Sequence, residues 1–176
     1  MNSIDDTYPA NYTVSRIDLP SGTVDYKIND ENSGVPLLVE PLNTDPYTMI
    51  LPYSDFGYVS GLFTTPNPDV FLFAKGGTII LVDVLTPEDA EEVDQVFPVV
   101  EIIPIVCPAR LVLISFQYIA AVGEKGQLAW ATPKLADDGF RIDSTKEGKL
   151  TVTADWDWNP RTFRIDLLDG SIEACQ

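Results

Sequence analysis

The segment Asp155-Trp156-Asp157-Trp158-Asn159 brings together the residue types in this chain that are best suited to chemistry. Its oxygen-bearing side chains at alternate positions resemble the start of a calcium loop, in which Asp166 would hold the twelfth position. The sixth position of such a loop needs glycine for a sharp turn, and here it is Pro160. The other interpretation is a strand that leads into an Asx-type turn. We therefore predict no metal site from these residues.

The two tryptophans of this segment are candidate binding residues. Trp156 and Trp158 alternate with aspartates, so on a strand they share one face. Neighbouring aromatic rings on one face can stack on a sugar or dock a protein. The alternative is that both rings pack in the core while Asp155 and Asp157 face water.

Histidine is absent from all 176 residues. Its absence excludes Ser-His and Cys-His catalysis and histidine-based metal sites. Carboxylate pairs such as Asp137-Asp138 could serve a hydrolase, but with 27 acidic residues such pairs arise by chance. We expect no catalytic residues and no cofactor, and we keep a carboxylate-dependent hydrolase as an alternative.

The charge of the chain limits its partners. It has 11 Lys+Arg against 27 Asp+Glu, a formal net charge of −16. Residues 1–120 hold 17 acidic and 4 basic side chains, so most of the negative charge belongs to the first two-thirds. Nucleic acids and anionic membranes bind clustered cations, which this sequence lacks. The charge favours a basic protein partner, although it also serves solubility.

The acidic residues are densest between Thr86 and Phe97, where the pattern predicts a short helix over about residues 87–97. Thr86 would be the N-cap and Pro87 the first helical residue. Its acidic side chains would form a ridge that contacts a cationic partner, or an ordinary solvated face. The candidate partner-binding residues of this ridge are Glu88, Asp89, Glu91, Glu92 and Asp94.

The remaining elements are short runs rich in β-branched and aromatic residues, separated by turn signals. Glycines predict tight hairpins at positions 76–77, 123–126, 148 and 170. We interpret Leu111–Val122 as one strand and Tyr58–Phe63 as another. The predicted fold is mainly β: an antiparallel sandwich, open barrel or propeller-like meander with one short helix. Residues 1–176 form a single all-β domain, whose first ten residues are a candidate for disorder.

Cysteine content and the first residues indicate the compartment. Cys107 and Cys175 are too few for a disulfide framework, and the apolar run around Cys107 predicts that it is buried. The first residues show neither a basic nor an apolar signal-peptide region. We expect a cytoplasmic protein.

The C-terminal part resembles an uncharacterised group of bacterial proteins. The shared features are the run Leu111–Phe116, a Gly-rich turn before Ala129-Trp130, an Asp138-Gly139-Phe140 step, Trp156-Asp157 and an Asp169-Gly170 hairpin. The resemblance covers about residues 110–174. It implies a β-meander similar to propeller-blade repeats and carries no known function.

The features together predict a non-catalytic, acidic protein-binding module. Its specific form would be an immunity protein that neutralises a basic bacterial toxin. The alternative is a β domain that binds a carbohydrate or small molecule through Trp156 and Trp158. The sequence leaves the identity of the partner and the oligomeric state open.

Overall fold

The computed structural model describes residues 4–18, 23–28, 34–155 and 159–175. Within these ranges the chain forms 17 strands and two short 3-10 segments, with no α-helix. The strands are β1 (Ile4–Asp5), β2 (Tyr12–Arg16), β3 (Tyr26–Lys27), β4 (Val35–Pro41), β5 (Tyr47–Leu51), β6 (Gly61–Thr64), β7 (Val70–Lys75), β8 (Thr78–Asp83), β9 (Glu91–Glu92), β10 (Val99–Ile105), β11 (Arg110–Ser115), β12 (Ile119–Val122), β13 (Leu128–Ala131), β14 (Phe140–Lys146), β15 (Lys149–Ala154), β16 (Arg161–Asp166) and β17 (Ile172–Cys175).

The strands belong to four sheets, which we number I to IV along the chain. Sheet I has the order β2-β4-β5-β3 and sheet II the order β1-β6-β7-β8-β9. Sheet III is β10-β11-β12-β13 and sheet IV is β14-β15-β16-β17. Sheets III and IV are simple antiparallel meanders, whereas β1 and β3 join their sheets in parallel. The structure thus confirms a mainly β, largely antiparallel fold and is consistent with a blade-like meander.

Three apolar clusters join the sheets face to face in the order I, II, III, IV. Alternate residues of β7 belong to two different clusters: Leu72 packs towards sheet III and Phe71 towards sheet I. In β11, Leu113 packs towards sheet II and Val112 towards sheet IV. Sheets II and III are therefore buried on both faces, which explains why their central strands are continuous apolar runs.

Sheet IV ends the stack, and its strands show the corresponding pattern. Along β15, Leu150, Val152 and Ala154 are buried, while Thr151 and Thr153 between them are partly exposed. One face of this sheet therefore packs on sheet III and the other meets water. No apolar cluster of the described residues joins sheet IV to sheet I.

The N-terminal segment crosses between sheets II and III. Ile4 and Asp5 pair with β6, and Tyr8 is buried in the cluster that sheets II and III share. The Tyr8 hydroxyl accepts a hydrogen bond from the Ile105 N–H at 2.9 Å. It also lies within hydrogen-bonding distance of the Ile105 and Arg110 carbonyl oxygens. This side chain therefore ties the N-terminal segment to the β10–β11 hairpin.

Replacing Tyr8 with phenylalanine is expected to destabilise the protein without altering its surface. The change leaves buried polar groups of the β10–β11 hairpin without their partner, which costs about 1–3 kcal/mol. For a chain of this length the melting temperature should fall by about 2–12 °C. Circular dichroism melting checks this, with Tyr53→Phe on the exposed surface as the control. An equal melting temperature for wild type and Tyr8→Phe would contradict a stabilising role for the hydrogen bonds of the Tyr8 hydroxyl.

The predicted helix over residues 87–97 is wrong. The segment forms two 3-10 turns, Pro87–Asp89 and Asp94–Val96, separated by strand β9. Between these turns its backbone bonds to sheet II: β9 pairs with β8, and the Val93 N–H donates to the Ile79 carbonyl oxygen at 2.9 Å. The apolar side chains that this arrangement buries are Pro87, Val93 and Val96.

Two further expectations need correction. The predicted strand Leu111–Val122 is a hairpin, because the Ser115 hydroxyl accepts hydrogen bonds from the N–H groups of Gln117 and Tyr118 and so stabilises a turn. Cys107 is exposed at the tip of the β10–β11 hairpin rather than buried, and both cysteines are free. No helix in the described ranges is long and apolar enough to cross a membrane.

Candidate binding surface

One end of the stack carries the connection between β5 and β6, residues 52–60, together with the β7–β8 and β11–β12 turns. Hydrogen bonds fix the connection against the β7–β8 turn. The Ser54 hydroxyl donates to the Gly76 carbonyl oxygen at 2.6 Å, and the Gly76 N–H donates to the Ser60 hydroxyl at 3.1 Å. Both ends of the connection are therefore attached to the same tight turn.

Gly76 and Gly77 make that close attachment possible. Both have positive φ, 61° and 87°, which matches the tight hairpin predicted from the sequence. A Cβ on Gly76 would overlap the Ser54 carbonyl oxygen, and one on Gly77 would come within 2.8 Å of the Pro98 ring. The glycines thus let the 52–60 connection and the start of β10 approach the turn closely.

Four aromatic side chains contact one another at this end, and we call them the aromatic row: Phe97, Phe56, Tyr58 and Phe116. The ring centroids of Phe97 and Phe56 are 6.4 Å apart, and those of Phe56 and Tyr58 are 5.9 Å apart. Tyr58 and Phe116 meet edge to face at 5.7 Å. These separations lie in the range where aromatic rings attract one another.

The aromatic row is exposed to solvent. Phe56 is 59% exposed, Phe97 45% and Tyr58 36%, while Phe116 is half-buried. Single exposed hydrophobic residues are ordinary on protein surfaces, but aromatic side chains in contact are typical of binding sites. The row therefore forms a candidate binding surface.

The acidic residues of the 87–97 segment approach this row at Asp94, and we call them the acidic edge: Glu88, Asp89, Glu91, Glu92 and Asp94. Glu88 and Asp89 follow the far end of β8, while Glu91 and Glu92 pair with the middle of that strand. All five are exposed. Asp94 and Phe97 belong to the same 3-10 turn, since the Phe97 N–H donates to the Asp94 carbonyl oxygen at 3.3 Å. Partial burial, and secondly the charge of Asp94, raise the pKa of the Glu92 carboxyl above its ordinary value.

Cations are distributed unevenly around this surface. The ion pairs Lys134–Asp137, Arg141–Asp143 and Lys149–Glu173 all lie in the C-terminal part of the chain. None of these pairs neutralises the acidic edge. Beside the row, the Lys75 ammonium lies 5.5 Å from the centre of the Tyr53 ring. An aromatic ring of the 52–60 connection therefore already holds a cation from its own chain.

A pocket of about 460 Å³ opens at the same end of sheet IV. Its lining residues are Asp138, Gly139, Phe140, Arg141, Thr153, Asp155 and Pro160. A Cβ on Gly139 would lie 3.9 Å from the Phe116 ring, so the pocket adjoins the aromatic row. Trp156 and Trp158, proposed as partner-binding residues, lie outside the described residues, and Asp155 and Pro160 flank their segment on either side.

The metal alternative is tested only in part. Among the residues that the structure describes, no group of three or more Cys, Asp or Glu side chains could hold a metal ion. Asp157, the middle member of the Asp-x-Asp-x-Asn pattern, lies outside those residues.

The aromatic row was missed from the sequence, although two local signals point to it. Tyr53, Phe56 and Tyr58 lie in a segment with serine, aspartate and glycine and without regular alternation, which favours an exposed loop. Ser115, which directs the β11–β12 turn, indicates that Phe116 leaves the sheet. No local signal brings these residues together, since they come from connections far apart in the chain.

The structure has four stacked β-sheets, consistent with a blade-like architecture, and an exposed aromatic row at one end of the stack. No family model, curated protein or solved structure matches the chain.

Proposed function

We propose that this chain is a non-catalytic protein-binding module that docks a basic protein through the aromatic row and the acidic edge. The observation that carries the proposal is the row itself, with Phe56 at its centre and 59% exposed. Large aromatic side chains at the centre of an interface supply most of its affinity. The row offers four such rings in contact on one surface.

The acidic edge supplies the preference for a basic partner. Its exposed carboxylates follow the edge of sheet II as far as Asp94, which shares a turn with Phe97, and the formal net charge of −16 adds a long-range negative field. Such a field accelerates association with cations and repels polyanions. It supports a basic protein as partner and speaks against nucleic acids and anionic membranes.

The specific form of the proposal is an immunity protein that acts in the cytoplasm against a basic toxin. The small size, the strong negative charge and the exposed aromatic centre are all compatible with that role. A stable antagonist needs no reaction chemistry, only a rigid and complementary surface. The 52–60 connection is held rigid by its two hydrogen bonds to Gly76.

The proposal predicts that partner binding depends strongly on salt. Raising salt from about 0.01 M to about 1 M shortens the Debye length from about 30 Å to about 3 Å. We expect the association rate to fall by about 10- to 1,000-fold over this range, because screening removes the steering field. The measurement captures a partner from a host lysate at low salt, identifies it, and follows its association in purified form.

A pair of variants separates the effect of the acidic edge on the association rate from the effect of net charge. Glu91→Gln with Glu92→Gln should lower the association rate at low salt and change little at high salt. Glu124→Gln with Glu147→Gln, which removes two exposed charges from turns at the opposite end of the stack, serves as the control. An association rate that is independent of salt would contradict the proposal.

The pocket beside Phe116 favours one alternative, the binding of a carbohydrate or small molecule. Phe140 is among the residues that line the pocket, and Asp155 and Pro160 of its lining flank the Trp156–Trp158 segment. Only this alternative predicts a saturable change in tryptophan fluorescence when a glycan panel is titrated.

A further inference from the structure

The free edge of sheet II lies beside the aromatic row. Among the residues that the structure describes, β9 is the last strand of that sheet and pairs with β8 alone. The Val93 N–H donates to the Ile79 carbonyl oxygen and so points towards β8. Glu92 is the residue directly before Val93. In an antiparallel ladder, backbone groups of successive residues point to opposite sides. The N–H and carbonyl of Glu92 therefore point away from β8, towards any strand that adds to this edge.

The side chains of this edge select among strands that could add. Glu91 and Glu92 are both exposed, so a second copy of the chain would bring like charges together. Charged residues on edge strands prevent such self-association. A strand with positive side chains would instead be attracted, with its backbone bonding to Glu92 and its cations close to the carboxylates.

The row begins at Phe97, which follows the 94–96 turn after β9, and its rings suit cations. Its centroid steps of 6.4, 5.9 and 5.7 Å are close to the span of two residues in an extended chain, about 6–7 Å. Side chains two residues apart on such a chain point to the same side. The contact of Lys75 with Tyr53 at 5.5 Å shows that a ring at this end accepts an ammonium group, as cation–π geometry allows.

We propose that the partner presents an extended segment with arginine or lysine at alternate positions, which adds to β9 and lays its cations across Phe97 and Phe56. This inference rests on the proposed function and specifies how the same surface recognises its partner. Backbone pairing to the edge supplies orientation, and the rings with their neighbouring carboxylates select the positive side chains.

Three synthetic peptides test the inference on the full chain. The first is Arg-Thr-Arg-Thr-Arg-Thr-Arg, in which threonine favours the extended form. The second has the same composition with its arginines contiguous. The third is the alternating peptide with alternate amides N-methylated, so that the side facing β9 cannot pair. We expect the alternating peptide to bind about tenfold more tightly than either of the others in calorimetric titration at low salt.

Variants of the protein locate the binding. Phe97→Ala should weaken binding of the alternating peptide about tenfold, whereas Leu168→Ala at the opposite end should leave it unchanged. Equal affinity for all three peptides would overturn the inference, because charge alone would then explain binding. If no peptide binds but a basic protein still binds in a salt-sensitive way, the inference about the extended segment is overturned and the proposed function stands. Failure of both would reject the two together.

Discussion

Phe56→Ala is expected to weaken binding of the basic partner by about 30-fold or more, the effect of losing a hot-spot residue. Phe56 is the central ring of the row, with Tyr58 at 5.9 Å on one side and Phe97 at 6.4 Å on the other. Its removal breaks the row in two and takes away the most exposed of its rings.

The same substitution should leave the fold intact, because Phe56 is 59% exposed and belongs to none of the three apolar clusters. We expect its free energy of unfolding to stay within about 0.5 kcal/mol of wild type. The measurements are surface plasmon resonance for binding and denaturant unfolding for stability. Leu168→Ala, an equally exposed apolar residue at the opposite end, is the matched control. Equal losses of affinity in both variants would contradict a localised site.

Gly76→Ala is expected to disrupt both stability and binding. Alanine at φ 61° costs about 1–2 kcal/mol, and its Cβ would overlap the carbonyl oxygen of Ser54. The 52–60 connection must then move away from the β7–β8 turn, and Phe56 and Tyr58 move with it. We expect a loss of about 2–4 kcal/mol in the free energy of unfolding and at least about tenfold weaker partner binding.

Two variants make this expectation specific. Gly57→Ala changes the same connection, but its Cβ would have nothing within 4 Å, so stability and affinity should match wild type. Ser54→Ala removes the hydroxyl that donates to Gly76 without adding a clash, and should give a smaller loss of affinity in a folded protein. Wild-type binding by both Gly76→Ala and Ser54→Ala would show that the position of this connection does not matter.

Much of the fold could be predicted from short stretches of sequence. The turns at Gly76-Gly77, Gly148 and Gly170 form where they were expected, because each needs a positive φ that glycine adopts without strain. The strands between them were recognisable from their β-branched and aromatic residues. In both cases the deciding interactions lie within a few residues of one another.

The errors arose where distant contacts overrode a local pattern. Thr86 and Pro87 are typical of a helix start, yet the segment gains more by pairing with β8 and burying Val93 and Val96 against sheets II and III. In the 111–122 run, the strands on either side of the Ser115–Tyr118 turn are both continuously apolar, because both faces of sheet III are covered. Because both strands are apolar on both faces, the sequence pattern does not show where the first strand ends.

By itself the sequence determined a histidine-free, strongly acidic chain of short strands joined by glycine turns, since composition and local backbone preference need no tertiary context. Only the tertiary structure decided that the sheets stack in the order I to IV and that Phe97, Phe56, Tyr58 and Phe116 meet at one end. These rings come from three separate connections, so their contact depends on how the sheets pack, a property of the assembled core rather than of any one segment.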